Sequence, residues 1–165
     1  MDSPQIRVGI GYDVHKIRKG GPLRLGGIDI PAEIELEGHS DADVLVHAII
    51  DAIFGAAGLG DIGDHFPPSD PAYRGIDSLI LLQNAKESAA AKGFQIINID
   101  ATVIAEAPRL GAYKKAMAVR LCEVLGLAEG SVNTKATTNE TMGFVGRQEG
   151  LAALAVALLQ VQQNG

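Results

Sequence analysis

The sequence has few of the residues that mark several protein classes. It contains no tryptophan, and only 4% of its 165 residues are aromatic. Its single cysteine, Cys122, cannot form an internal disulfide, and we expect that thiol to be packed within a helix. No stretch reaches the roughly 18 consecutive apolar residues of a membrane span, and the first residues lack the pattern of a signal peptide. These absences predict a soluble, cytoplasmic protein without a membrane partner.

Positive charge is also scarce. The chain has 14 Lys and Arg residues against 20 Asp and Glu residues, which gives a formal net charge of -6. No basic stripe with interleaved aromatic residues is present, so the composition argues against a nucleic-acid partner. An anionic ligand would therefore have to be held by bound metal ions and by backbone N–H groups.

What the sequence does contain is typical of a folded, aliphatic protein. Hydrophobic residues make up 47% of the chain and charged residues 21%. A length of 165 residues suits one core and is too short for two comfortable ones. We therefore predict a single domain that spans residues 1–165.

The hydrophobic pattern changes between strand and helix periods along the chain. Alternation near the start predicts a strand that ends near Tyr12, followed by a short hairpin over 23–31. Further patterns predict helices over 77–93 and from about Leu110 to Leu125, with strands over 94–105 and 131–137. The alanine-rich tail, 150–161, suits a helix or a buried strand, and the topology favours the strand. We predict an α+β fold with two layers, in which helices pack on one face of a mixed β-sheet.

One predicted helix carries an unusual row of polar side chains. In the segment GHSDADVLVHAIIDAIFG, residues 38–55, apolar residues recur at helical spacing, and Ser40 or Asp41 is placed to cap the first turn. Asp43, His47 and Asp51 are four residues apart and therefore lie on one side of that helix. A row of carboxylate, imidazole and carboxylate that is partly buried needs a partner.

A metal ion is one candidate partner. In the segment YDVHK, Asp13 and His15 are two residues apart at the end of the first strand, so both side chains point to the same side of the sheet. With His47 they would supply one carboxylate and two imidazoles, which suits Zn²⁺ and leaves a fourth position open, as in catalytic sites. Asp43 or Asp51 could accept the other ring N–H of His47. The alternative is an ordinary surface aspartate and hydrogen-bonded histidines.

The longest connection in the chain also indicates function. Residues 55–75 are dense in glycine, proline and aspartate, which predicts a loop. Loops of this length are uncommon unless they carry a function.

Several motifs, in this order and spacing, resemble one family over almost the whole chain: GYDVH, GHSDADVLVHAIIDAIFGAAGLGDIG, FPPSDP and KATTNETMGFVGRQEG. They resemble the 2-C-methyl-D-erythritol 2,4-cyclodiphosphate synthases of the non-mevalonate isoprenoid pathway. The resemblance implies a lyase that converts 4-diphosphocytidyl-2-C-methyl-D-erythritol 2-phosphate to the cyclic diphosphate and CMP. It also implies a homotrimer of α+β subunits with active sites between neighbouring subunits.

The same resemblance implies the metal ligands and the reacting groups. Asp13, His15 and His47 would hold Zn²⁺ or a similar transition metal, and Glu140 would hold a second cation, Mg²⁺ or Mn²⁺. The substrate's own 2-phosphate attacks the β-phosphorus, so the protein must chiefly position groups and neutralise charge. His39 and Thr138 are the residues to which the resemblance gives catalytic roles.

The resemblance further implies which residues contact the substrate. The diphosphate and methylerythritol parts would be met by Asp13, Val14, His15, His39, Ser40, Ile62, Gly63, Phe66, Pro67, Pro68, Ser69 and Asp70, and Asp61 would be directed toward the ribose. The cytosine would be read by backbone groups of Ala105, Glu106, Ala107, Pro108, Arg109, Leu110 and Gly111. The nucleotide phosphates would be bound by Thr137, Thr138, Asn139 and Glu140.

Two residues depart from the family pattern. Asn139 stands where the family has a threonine, and it still offers a polar side chain. Asp64 stands where relatives carry a basic residue, and it adds negative charge near the substrate.

The segment GFVGRQEG implies a second ligand site. The family places Phe144, Arg147 and Glu149 around the trimer axis, where a hydrophobic channel can hold an isoprenoid diphosphate beneath a ring of arginines. The alternative is that Arg147 and Glu149 only pair with each other between subunits.

The residues leave two other functions open. A zinc hydrolase would use metal-bound hydroxide and would need a general base such as Asp51 or Asp43. A non-catalytic trimer that binds isoprenoid diphosphates would not need Asp13, His15 and His47 together.

Overall fold

The computed structural model describes residues 5–162, so the two ends of the predicted domain, 1–4 and 163–165, lie outside the described residues. The strands are β1 Ile6–Lys19, β2 Leu23–Leu25, β3 Ile28–Ile30, β4 Ile34–Leu36, β5 Phe94–Ile104, β6 Val132–Thr137 and β7 Gly150–Val161. The helices are α1 Val44–Ala57, α2 Ile62–His65, α3 Ser78–Ala91, α4 Lys114–Leu125 and α5 Gly143–Gly146, with a short 3₁₀ helix Pro71–Tyr73.

Five strands form one mixed sheet in the order β4-β1-β7-β5-β6, which confirms the predicted fold class. Among the strands in the described part of the chain, only β5 and β6 pair in parallel; the other neighbours are antiparallel. The tail is the central strand β7, so the predicted strand is confirmed over the helix. The predicted hairpin is confirmed as the separate ribbon β2–β3.

Several predicted boundaries were wrong. Strand β1 continues beyond Tyr12, because Ile17, Arg18 and Lys19 pair with β4. Helix α1 is capped by Asp43 rather than by Ser40 or Asp41. Helix α4 begins at Lys114, after a turn, and the long loop contains α2 and the 3₁₀ helix. The differences at β1 and α1 arise from a strand pairing and a cap that compete with the local hydrophobic pattern.

Helix α1 lies directly against strand β1. All but two of its 14 residues are buried, and it ends at Gly58, which has a left-handed conformation. The close approach requires glycine on the strand, because a Cβ atom at Gly11 would lie 1.8 Å from the carbonyl oxygen of Ala48. This contact places the residues that follow Gly11 on β1 beside the residues that precede Ala48 on α1.

The two faces of β1 differ in character. Gly9 and Gly11 face the helices, whereas Val8, Ile10 and Tyr12 point to the opposite face and are exposed. Ile10 pairs with Val156 of β7, which is also exposed, so apolar side chains cover this second face. Within residues 5–162, no helix is long and apolar enough to cross a membrane.

Candidate metal and substrate site

Three side chains meet where β1 and α1 are in contact. The Oδ2 atom of Asp13 lies 2.9 Å from Nε2 of His15 and 3.0 Å from Nδ1 of His47. The two ring nitrogens are themselves 3.0 Å apart. Asp13 and His15 lie on the helix-facing side of β1, and His47 comes from one turn into α1. The prediction that these three side chains come together is confirmed.

The backbone fixes which nitrogen of His15 faces the cluster. Nδ1 of His15 lies 2.7 Å from the carbonyl oxygen of Glu37, an atom that can only accept a hydrogen bond. Nδ1 therefore carries a proton, and the neutral ring presents the lone pair of Nε2 to Asp13 and His47. Metal-binding histidines are oriented in this way in proteins.

Charge in the cluster is reflected in two shifted pKa values. Burial is the largest influence on Asp13 and would raise its pKa, but hydrogen bonds and opposite charge from His15 and His47 lower it from 3.8 to about 2. Burial would lower the pKa of His15, but the neighbouring Asp13 carboxylate raises it above 6.5. Both directions show that the cluster favours positive charge beside Asp13, carried by a proton or by a cation.

The donor set and its spacing fit a divalent metal ion. Two imidazole nitrogens and one carboxylate oxygen form a nearly equilateral triangle with edges of 2.9 to 3.0 Å. Ligand atoms around a tetrahedral ion with bonds of about 2.0–2.1 Å lie about 3.3 Å apart. The observed triangle is slightly smaller, so a small outward movement of the three side chains would give that geometry. Asp13, His15 and His47 can therefore hold a metal and leave a further coordination position open.

The other nitrogen of His47 has partners that differ from those predicted. Nε2 lies 2.9 Å from Oγ of Ser78, at the start of α3, and 3.0 Å from Oγ of Ser40. The prediction that Asp43 or Asp51 accepts this N–H was wrong. Helix α3 packs against α1 and brings Ser78 to the imidazole, a contact that spacing within α1 could not indicate.

Asp43 and Asp51 serve the backbone instead. Asp43 is completely buried and accepts hydrogen bonds from the backbone N–H groups of Gly26, Gly27 and Val46. It thereby caps α1 and fastens the β2–β3 hairpin. Asp51 accepts from the N–H of Ile62, at the start of α2, and burial raises its pKa. Both carboxylates are therefore occupied by structural hydrogen bonds.

A cavity of about 290 Å³ opens beside the metal ligands. It joins the cluster to residues from both ends of the GHSDADVLVHAIIDAIFGAAGLGDIG motif and from the FPPSDP motif. Its lining residues are Asp13, His15, His39, Ser40, His47, Ile62, Gly63, Phe66, Pro68, Tyr73 and Leu81. A neighbouring cavity shares His39 and Pro68 and adds Ser69 and Arg74. The structure therefore brings much of the predicted diphosphate and methylerythritol site together.

The remaining residues of that predicted set have other positions. Asp61 caps α2 and forms a reciprocal capping box with Asp64, which gives the departure at Asp64 a structural role. Asp70 caps the 3₁₀ helix by accepting from the N–H of Ala72. The side chain of Val14 points to the sheet face opposite Asp13, so only its backbone lies on the site's strand segment.

Most of the residues predicted to bind the nucleotide line a separate cavity of about 350 Å³, but Ala107, Asn139 and Glu140 are not among its lining residues. It lies where β5 and β6 end, and it shares no lining residue with the cavity at the metal ligands. Its lining residues are Ala105, Glu106, Pro108, Arg109, Leu110, Gly111, Lys114, Ala136, Thr137 and Thr138. Within residues 5–162, the two cavities are therefore separate.

Glu106 joins the two loops that form this second cavity. Its Oε1 atom accepts from the backbone N–H of Asn139, at 2.8 Å, and of Thr141, at 3.2 Å. Glu140 and Thr141 both have positive φ, an unusual backbone conformation. The hydrogen bonds to the Glu106 carboxylate stabilise this conformation. The side chain of Asn139 donates to the carbonyl oxygen of Met142, which closes the same turn.

The residues predicted for a channel lie near the start of β7. Phe144 belongs to α5 and is 37% exposed. Arg147 makes a bidentate contact with Glu149 of the same chain, at 2.8 and 3.1 Å. The hydrogen bond raises the pKa of Arg147 and lowers that of Glu149. The pairing that was considered between subunits is therefore formed within one chain.

Sequence reasoning missed four side chains at the site. Tyr73 and Leu81 line the cavity at the metal ligands, Arg74 lines its neighbour, and Ser78 contacts His47. One feature of the sequence could have indicated a role for Ser78. Asp77 already caps α3, so the serine that follows it is not needed as a cap.

Comparison with known proteins gives a consistent result. The YgbB family profile matches residues 6–160. A protein of Symbiobacterium thermophilum, named 2-C-methyl-D-erythritol 2,4-cyclodiphosphate synthase, is 57% identical over 152 residues, which are 92% of this chain and 97% of that protein. A protein of Bordetella petrii with the same name is 56% identical over 153 residues, or 93% and 94% of the two chains.

Solved structures show the same fold. The bifunctional IspDF of Campylobacter jejuni aligns with a TM-score of 0.93 and 43% identity, over 96% of this chain and 43% of that longer chain. The CDP complex of IspF from Plasmodium falciparum aligns with a TM-score of 0.84 and 33% identity, over 98% and 100% of the two chains. The resemblance drawn from the motifs is confirmed, and the chain belongs to the YgbB family.

Proposed function

We propose that this chain, as one cyclodiphosphate synthase domain, converts 4-diphosphocytidyl-2-C-methyl-D-erythritol 2-phosphate to 2-C-methyl-D-erythritol 2,4-cyclodiphosphate and CMP. An oxygen of the 2-phosphate forms a bond to the β-phosphorus, and the bond from that phosphorus to the oxygen shared with the α-phosphate breaks. CMP leaves with that oxygen. The observation that carries this proposal is the Asp13–His15–His47 cluster, which opens into the cavity formed by the family motifs.

The metal at the cluster is Zn²⁺ or a similar transition metal, since two imidazoles and one carboxylate are ligands that zinc prefers. A second cation, Mg²⁺ or Mn²⁺, is held by Glu140 in this proposal. When bound, the two cations neutralise phosphate charge and polarise the phosphorus under attack. Such neutralisation is needed because the protein itself carries a formal charge of -6.

The chain's own residues position the substrate. His39 and Ser40 line the cavity beside the metal ligands, where they can donate hydrogen bonds to the diphosphate. Thr138 lines the second cavity and would bind the nucleotide phosphates. Holding the 2-phosphate near the β-phosphorus supplies much of the rate enhancement, since good positioning can contribute roughly 7 to 11 kcal/mol.

The working enzyme is a homotrimer. Each active site combines the cavity at the metal ligands of one subunit with the nucleotide cavity of a neighbour, and we call these two cavities half-sites. Support comes from the exposed apolar face of β1 and β7, where Ile6, Val8 and Ile10 are 57%, 66% and 70% exposed. A continuous apolar surface of this kind marks a protein interface. The separation of the two cavities within one chain also supports a shared site. An isoprenoid diphosphate in the channel formed by Phe144 and Arg147 is the ligand proposed at the trimer axis.

The observed contacts do not favour a zinc hydrolase. The two carboxylates available as its general base, Asp43 and Asp51, are bound to backbone N–H groups. A non-catalytic binding protein has no need for three ligand atoms within 3.0 Å of one another.

A complementation experiment tests the shared site. We expect His47→Ala and Thr138→Ala trimers each to be inactive, because each lacks one half-site. When the two variants are unfolded, mixed in equal amounts and refolded, about a quarter of the wild-type activity should return, since mixed trimers contain one intact pair of half-sites. No recovery from the mixture, with full recovery of refolded wild type, would show that each site lies within one chain.

A further inference from the structure

Behind His47, away from the metal ligands, lies a short chain of polar groups that ends on a carboxylate. Nε2 of His47 contacts Oγ of Ser78, and Oγ of Ser78 in turn donates a hydrogen bond to Oδ1 of Asp41. Ser78 is completely buried. This contact sequence connects helix α1, the start of α3 and the loop before α1.

Asp41 is held in place as an acceptor. Its Oδ2 atom accepts from the backbone N–H of Ser78 at 3.1 Å, and its Oδ1 atom accepts from the N–H of Asp43 at 3.2 Å. The Nε atom of Arg24 lies 3.5 Å from Oδ2. Every partner of this carboxylate is therefore a donor, and the side chain cannot rotate away without breaking several contacts.

The direction of the hydrogen bonds follows from the number of protons. The Ser78 hydroxyl has one proton, which it donates to Asp41, so toward His47 it can only accept. Nε2 of His47 is therefore the N–H donor of that contact. Oγ of Ser40 lies 3.0 Å from the same nitrogen and accepts from the backbone N–H of Ala42, so it too can act as an acceptor toward Nε2. The neutral ring then has no proton on Nδ1, which is the atom that faces Asp13 and His15.

We propose that Asp41 and Ser78 are positioning residues that fix the tautomer and orientation of His47 for metal binding. This inference rests on the metal site of the proposed function. Glu37 does the same for His15 through its backbone carbonyl, so both imidazoles present bare nitrogens to one point. With Ser78 in this role, Ser40 keeps its hydroxyl proton available to the substrate cavity that it lines.

The test measures Zn²⁺ affinity by competition with a chromophoric chelator. We expect Ser78→Ala to weaken Zn²⁺ binding 10- to 100-fold, the usual effect of removing a partner of a metal-bound histidine. Ser78→Thr keeps the hydroxyl and should restore affinity close to wild type. The matched control is Ser88→Ala on the same helix, because the Ser88 hydroxyl bonds only to the carbonyl oxygen of Asn84. That variant should keep the wild-type Zn²⁺ affinity and change thermal stability little.

Asp41→Asn provides a second variant in case Ser78→Ala does not fold. The amide can donate to Ser78 as well as accept, so Ser78 becomes free to donate to His47 and the tautomer is no longer fixed. We expect an affinity between those of wild type and Ser78→Ala. Folded Ser78→Ala or Asp41→Asn protein that binds Zn²⁺ within twofold of wild type would overturn the inference while the metal site stands. Wild-type protein that binds no Zn²⁺ would overturn the proposed metal site itself, and the inference with it.

Discussion

The backbone of Gly11 lies against the carbonyl oxygen of Ala48, and this contact sets the distance between the two elements that carry the metal ligands. Gly11 precedes Asp13 by two residues on the same side of β1, and Ala48 directly follows His47. The approach of β1 to α1 is therefore what brings His47 within 3.0 Å of Asp13.

Alanine at Gly11 should damage both the fold and the site. Its Cβ atom would lie 1.8 Å from the Ala48 oxygen, so α1 must move, and we expect a loss of about 3 kcal/mol or more in the free energy of unfolding. Zn²⁺ affinity should fall as well. The control is Gly55→Ala in the same helix, where the nearest atoms are 3.8 Å away and a gain of about 0.5 to 1 kcal/mol is expected. Urea unfolding measures both, and equal stability of the two variants would contradict this account.

Asp43 is predicted to be structural rather than catalytic. Removing its carboxylate in Asp43→Ala leaves three buried N–H groups without an acceptor, which should cost roughly 3 kcal/mol or more. Asp29→Ala, which removes an exposed carboxylate near Arg24, should change stability by less than about 1 kcal/mol. Thermal unfolding compares the two variants. A stable, folded and inactive Asp43→Ala protein would show instead that the carboxylate acts in the reaction.

Metal binding should weaken on acidification. The raised pKa of His15 means that its ring stays protonated to a higher pH than an ordinary histidine, and a metal must displace that proton. Zn²⁺ affinity should therefore be greatest at alkaline pH. As the pH is lowered, the loss of affinity should begin while the pH is still above 6.5, and it should reach up to about tenfold per pH unit for each displaced proton. Chelator competition at several pH values measures the profile. His65→Gln, which changes a histidine outside the ligand set, should leave the profile unchanged. An affinity that stays constant down to about pH 5 would contradict the assignment of His15.

The exposed sheet face should be required for assembly. Ile10→Lys places a charge in the proposed subunit interface, and we expect monomers in sedimentation velocity experiments. Ile80→Lys changes an isoleucine on α3 that is 52% exposed and should leave the trimer intact. Trimers of the Ile10 variant at wild-type concentration would place the interface elsewhere.

The sequence predicted the elements well where a local signal decides them. Asp77 begins α3 and Gly126 ends α4, as capping residues indicate, and alternation identified the sheet. The predicted ends of helices and strands were wrong where contacts with distant segments determine them. Strand β1 is extended by pairing with β4, and α1 begins late because Asp41 is engaged by Ser78 and Ala42 has a positive φ.

The site shows the same division. Spacing alone placed Asp13 beside His15, and a helix packed on that side supplied His47. The predicted hydrogen-bond partner of His47 was wrong. Ser78 is 31 residues away in the chain and reaches the imidazole only because α3 packs on α1. The apolar sheet face was likewise not recognised from the residues, since strand alternation does not reveal which side is left uncovered.

The most direct test of the central claim is ³¹P NMR of the reaction. Purified protein is incubated with 4-diphosphocytidyl-2-C-methyl-D-erythritol 2-phosphate, Zn²⁺ and Mg²⁺, alongside folded His47→Ala protein. We expect resonances of the cyclic diphosphate and CMP from the wild type and unchanged substrate from the variant. Linear phosphate products from the wild type, or cyclic product at the wild-type rate from His47→Ala, would contradict it.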